Sequence, residues 1–107
     1  MANYSVNTRT YFEAFNQKDI ELLSTLYSDD VRLTDWLINV QTKEDVLSAN
    51  EEFFKNDFVL TLKSTHQVNN ITFNEITIEV GGEVINIMDV ITFNEKFEIE
   101  NITAYKR

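Results

Sequence analysis

The chain has 107 residues, with no cysteine, no proline and one histidine, His66. These counts fit a single domain over residues 1–107, and they exclude disulfides, thiolate metal sites, cysteine nucleophiles and a histidine-rich metal centre. The net charge of −9, with acids spread along the chain, argues against nucleic acid and anionic membranes as partners, because no cluster of Lys and Arg is available to neutralise phosphates.

Residues 4–17 predict a helix: Tyr4, Thr8, Tyr11, Phe12 and Phe15 recur at spacings of three and four and share one face. A second, short helix is predicted from Asp19, its N-cap, to Tyr27, with Ile20, Leu23 and Leu26 on the buried side. A short strand, 31–35, follows. The run TKED at 42–45 has the form of a capping box in which Thr42 and Asp45 bond reciprocally, opening a third helix whose apolar side is Val46, Leu47, Phe53 and Phe54. Beyond residue 57 the period changes from helical to alternating. Turn signals at VNNI (68–71), VGGE (80–83) and FNEKF (93–97) divide the remainder into an antiparallel meander of four strands, 58–68, 71–80, 83–93 and 97–106. Ile71 and Phe73 fall out of phase with Ile76, Ile78 and Val80, which predicts a bulge near Asn74 that bends the sheet. Helices followed by a curved sheet make an α+β fold, with three helices packed on the concave side of the sheet and a pocket between them. No apolar run approaches the ~20 residues that span a bilayer. Residues 1–10 lack the apolar core of a leader, so a cytoplasmic location is expected.

Three polar side chains are aimed inward by these patterns. Asp35 alternates with Val31 and Leu33. Asp89 is the one polar residue on the strand face Ile85, Ile87, Asp89, Ile91 and Phe93. Tyr11 sits within the apolar stripe of the first helix. A carboxyl on a buried face loses hydration, and the less costly outcome is a raised pKa and a neutral acid able to donate a hydrogen bond. Each group also has a plainer reading. Asp35 could cap a turn at the strand end. Asp89 could pair with a buried partner or face outward. Tyr11 could be ordinary core. His66, in phase with Leu60 and Leu62, reads as an interior or rim histidine.

The stretch TYFEAFNQKDIELLSTLYSDDVRLTD (10–35) resembles the opening of the ketosteroid isomerases within the nuclear transport factor 2-like (NTF2-like, or SnoaL-like) superfamily, and NIMDVITFNEKFEIENITAYK (86–106) resembles their last two strands. Tyr11, Asp35 and Asp89 fall on the positions that carry the chemistry in that family. The resemblance implies a cone-shaped fold, Asp35 as the general base that moves a proton between carbons, and Tyr11 with a protonated Asp89 as donors to a dienolate oxygen. No cofactor or metal is implied, and the partner is a small apolar ligand or substrate. Phe15, Tyr27, Leu33 and Trp36 are expected to line the pocket, as are Asn50, Phe54, Ile87 and Ile91. Trp36 stands where the family often has proline, and Asn50 where the isomerases have a supporting tyrosine. The opposite face of 83–93 carries Val84, Met88 and Val90, which predicts a homodimer through the outside of the sheet.

Overall fold

The computed structural model describes residues 3–107; the first two positions of the stretch read for a leader lie outside them. The element order is α1 (Tyr4–Asn16), α2 (Ile20–Leu26), β1 (Tyr27–Thr34), β2 (Asn39–Gln41), α3 (Lys43–Phe53), β3 (Phe58–Val68), β4 (Ile71–Val80), β5 (Glu83–Phe93) and β6 (Ile99–Lys106). The six strands form one sheet in the order β2-β1-β6-β5-β4-β3. Every pairing is antiparallel except β1 with β6. Helix α1 lies on β3 and β4, and α3 lies on β1 and β2, so the inner face of the sheet is covered by helices in a cone-shaped α+β fold.

The helix ends follow local chemistry. Asn3 caps α1 by accepting from the Ser5 N–H, and Asp19 caps α2 by accepting from the Leu22 N–H at 3.1 Å. The far end of α1 is fastened to edge strand β3 by the Asn16 amide. It donates to the Leu60 carbonyl at 2.7 Å and accepts from the Leu60 N–H at 2.8 Å, as a neighbouring strand would. Thr42 caps α3 from the Asp45 N–H, but the capping box is only half formed. The Thr42 N–H is committed to the Val31 carbonyl at 2.9 Å, which ties the start of α3 to β1 and leaves Asp45 nothing to bond in return.

The meander matches its turn signals. Gly81 and Gly82 take φ of +58° and +79° in the β4–β5 hairpin, the twist that joins adjacent strands tightly. Strand β6 starts two residues later than its pattern suggests. The Asn94 side chain accepts from Lys96 and Glu98 N–H groups, and Phe97 adopts φ +64°, which extends the turn.

The bulge near Asn74 is a correction. The β4–β5 register runs unbroken from Ile71–Thr92 to Val80–Glu83. The irregularity is on the facing strand, between Leu62 and Ser64. On β4 the inward positions above Ile76 are the polar Asn74 and Thr72, both fully buried, while Phe73 turns outward. A chain of contacts satisfies Thr72 and the Asn74 amide nitrogen, while Asn74 Oδ1 is buried without a partner among the described residues. Thr8 of α1 meets Thr72 at 3.0 Å, and the Asn74 amide donates to Thr72 Oγ1 and to the Asp89 carbonyl, each at 3.0 Å. The shift at Lys63 also reverses His66, which pairs with Phe73 on the outer face and is exposed, not interior or at a rim. Among the described residues, no helix is long and apolar enough to cross a membrane.

Candidate active site

Helices and sheet enclose a cavity of about 540 Å³. Tyr11, Asp35 and Asp89 all line it, from three separate elements. Of the expected lining, Phe15, Leu33, Trp36, Asn50 and Ile87 are at its wall. Tyr27, Phe54 and Ile91 are corrections. Tyr27 and Ile91 are fully buried and Phe54 nearly so, packed in the core outside the cavity wall, with the Tyr11 ring against Tyr27 and the Phe15 ring against Phe54.

Asp89 is held by the middle of β5, between β4 and β6, with Asn74 and Ala104 as its cross-strand neighbours. It is 5% exposed, and among the described residues its carboxyl oxygens have no hydrogen-bond partner. Burial, and next the charge of Asp35, raise its pKa from 3.8 to about 7. A neutral acid therefore faces the cavity through the lower half of the physiological pH range.

Asp35 follows the last residue of β1. Its Oδ1 accepts from the Leu37 and Ile38 N–H groups at 2.7 and 2.8 Å, and its own N–H donates to the Ile38 carbonyl. The turn-capping reading and the inward reading thus hold together. One oxygen fixes the loop and the carboxylate, and among the described residues Oδ2 has no protein partner. The same loop brings Trp36, Leu37 and Ile38 to the cavity mouth, where Lys106 lies 5.8 Å from the Trp36 ring centre.

Tyr11 is 4% exposed and its ring lies 6.1 Å from that of Tyr27. Burial, then the neighbouring Tyr27 hydroxyl and Asp89 carboxyl, hold its hydroxyl well above the usual phenol range and keep it a donor. Burial likewise raises Tyr27, whose hydroxyl donates to Asn50 Oδ1 at 2.6 Å. Asn50 thus ends a buried line that runs from Tyr11 through Tyr27 to the middle of α3.

The remaining wall is mostly aliphatic and aromatic. Ile76, Ile78 and Ile85 were legible as inward strand positions. Ile38 was not, because a non-periodic loop gives no facing signal. Among the described residues no group of three or more His, Asp or Glu side chains could hold a metal ion.

Separate elements thus bring a few polar groups together on an aliphatic cavity within a cone of helices and sheet. A family model for the SnoaL-like domain matches residues 8–101, and the chain belongs to that family. No curated protein matches the chain in sequence. Solved structures with the same fold include an NTF2-like protein of unknown function from Cytophaga hutchinsonii, with TM-score 0.87 at 12% identity, covering 100% of this chain and 92% of that one. A provisionally assigned ketosteroid isomerase from Kribbella flavida superposes with TM-score 0.89 at 18% identity, covering 97% of this chain and 77% of that one. An LEH-like epoxide hydrolase from M. tuberculosis gives TM-score 0.79 at 10% identity, covering 94% and 79%. At such identities the likeness is one of fold.

Proposed function

We propose that the chain is a cofactor-free enzyme that moves a proton on a small apolar carbonyl compound. The observation that carries this reading is the pairing of two unlike carboxyls in one apolar cavity: Asp35 with a free oxygen, and Asp89 raised to about 7 by burial and by Asp35. Asp35 Oδ2 takes a proton from a carbon beside the carbonyl. The electron pair moves onto the carbonyl oxygen, where the Tyr11 hydroxyl and the neutral Asp89 donate hydrogen bonds to the developing charge. Asp35 then returns the proton to another carbon of the conjugated system, so the product is an isomer and nothing is consumed. A carboxylic acid kept neutral by an apolar site, so that it can donate to an oxyanion, is the pattern known for ketosteroid isomerases.

The test is turnover of cyclic enones by wild type and Asp35→Asn. The variant is expected to fold with an unchanged urea midpoint near pH 5, where Asp89 is neutral with or without the Asp35 charge, and to lose at least ~10²-fold in kcat. A variant retaining the wild-type rate would remove Asp35 from the mechanism. A second reading, a binding module without chemistry, is favoured by one observation: Asp35 already has a structural task as the cap of the 35–38 turn. It predicts that ligand affinity survives Asp35→Asn and that no product forms from any enone.

The reading includes a homodimer formed through the outer sheet face. Met88 and Tyr105 are cross-strand neighbours there, 41% and 60% exposed, and Val84 is 60% exposed on the same face. Phe73 and the part-buried Val90 continue the patch.

A further inference from the structure

The walls of the cavity carry one sign of charge. Asp35, Asp89 and Glu52 line it, and no Lys, Arg or His does so among the described residues. Three lysines are engaged by residues that line it. Lys55 holds Glu52 at 2.9 Å, Lys18 donates to the Asn56 carbonyl at 2.9 Å, and Lys106 sits over Trp36. An anionic group carried inside would be desolvated among aliphatic side chains, without a cationic partner, and would face the Asp35 carboxylate at close range.

The chemistry proposed for the site does not create that conflict. When Asp35 removes a proton it becomes neutral as the substrate becomes an enolate, so the cavity holds one negative charge before and after the step. A substrate that already carries a carboxylate or phosphate within the cavity would raise the count to two.

We propose that the site selects uncharged substrates: ketones, esters, lactones or amides enter, while the corresponding free acids and phosphate esters are rejected by the cavity charge. The inference rests on the proton-transfer reading for its substrate class, but charge rejection itself is a binding property and is measured without turnover. Asp35 is the residue that enforces it, because Glu52 is exposed to solvent and paired with Lys55 at 2.9 Å, so its charge is screened, and Asp89 holds its proton at mildly acid pH.

The test uses an isosteric pair, 6-hydroxy-2-naphthamide and 6-hydroxy-2-naphthoate, followed by their own fluorescence at about pH 6, where the carboxyl of the second is ionised and Asp89 is neutral. Wild type is expected to bind the amide at least roughly tenfold more tightly than the carboxylate, the scale set by one unscreened like charge within ~10 Å in a protein interior. Asp35→Asn should close most of that gap by strengthening carboxylate binding, with the amide little changed. Equal or tighter binding of the carboxylate by wild type would overturn the proposal and assign the rim lysines a recruiting role. A gap that survives Asp35→Asn unchanged would overturn the assignment to Asp35, and failure of both probes to bind at millimolar concentration would overturn the proposal as a whole. Loss of charge selection with turnover intact would leave the proton-transfer reading standing, whereas charge selection without turnover would favour the binding module.

Discussion

The state of Asp89 can be read from stability without any substrate. In the folded chain its carboxyl holds a proton up to about pH 7, while the unfolded reference is 3.8. The folded state therefore binds more protons than the unfolded state across that window, and stability must fall as pH rises through it. Each pH unit in the window is worth about 1.4 kcal/mol, so wild type should lose about 3 kcal/mol between about pH 5 and about pH 8, most of it below 7. Other titrating groups act on the same curve, and Asp89→Asn isolates the contribution because the amide has nearly the same shape and does not ionise. Linkage fixes how the gap between the two urea midpoints changes with pH. Between about pH 5 and about pH 8 the variant should gain about 3 kcal/mol on the wild type, a change in midpoint difference of roughly 2 M at an m-value near 1.5 kcal/mol/M. The same ionisation should give kcat/KM a descending limb at about pH 7, since a carboxylate at position 89 can no longer donate to an oxyanion. In Asp35→Asn the stability transition should move to lower pH, because the charge of Asp35 is the second cause of the shift. Parallel midpoints for wild type and Asp89→Asn from about pH 5 to about pH 8 would mean that the carboxyl is ionised throughout, and the oxyanion donor would be lost from the mechanism.

Tyr27→Phe removes the donor that satisfies Asn50 Oδ1 in the fully buried layer behind Tyr11. It should cost about 1–3 kcal/mol in urea unfolding and weaken phenol binding by loosening Tyr11, with no change in the pH limb assigned to Asp89. Gly82→Ala places a side chain at φ +79° with nothing within 4 Å, so the penalty is conformational alone, about 1–2 kcal/mol, with cavity ligand affinity unchanged. Met88→Lys at the centre of the outer patch should shift light scattering from dimer towards monomer at micromolar concentration; a wild type that is monomeric at high micromolar concentration defeats the dimer. Leu23→Ala, at a site with no exposure, should cost about 2–5 kcal/mol, whereas Leu37→Ala, 81% exposed at the cavity mouth, should stay within about 0.5 kcal/mol and act on ligand affinity instead.

What could be read from the sequence follows the rule that burial is written in apolar periodicity. Strand β5 was legible in its bounds from its alternation and flanking turns, and Asp89 stood out as the single polar exception on the face Ile85, Ile87, Ile91 and Phe93, although the opposite face is apolar as well. Strand β4 misled by the same rule. Its inward Thr72 and Asn74 are polar, so the pattern was resolved with a bulge that the register does not contain. Thr72 is buried with its hydroxyl satisfied because Thr8 reaches it from α1, a contact across 64 positions that no local window reports, and Thr72 in turn accepts from the Asn74 amide. The true irregularity, at Lys63, then turned His66 outward. Strand β2 was missed because three residues that are exposed or half-buried leave no stripe, and the parallel β1–β6 pairing joins the two ends of the chain. The three candidate site residues were found by the opposite signal, polarity where the period demands carbon. Thr72 breaks the apolar rule and is satisfied within the protein, and Asn74 is tied down through its amide nitrogen although its Oδ1 is buried without a partner. Asp35 and Asp89 break it and keep carboxyl oxygens unpartnered beside a cavity. That difference separates a buried polar group that serves the fold from one that awaits a ligand, and it depends on distances that only the structure supplies.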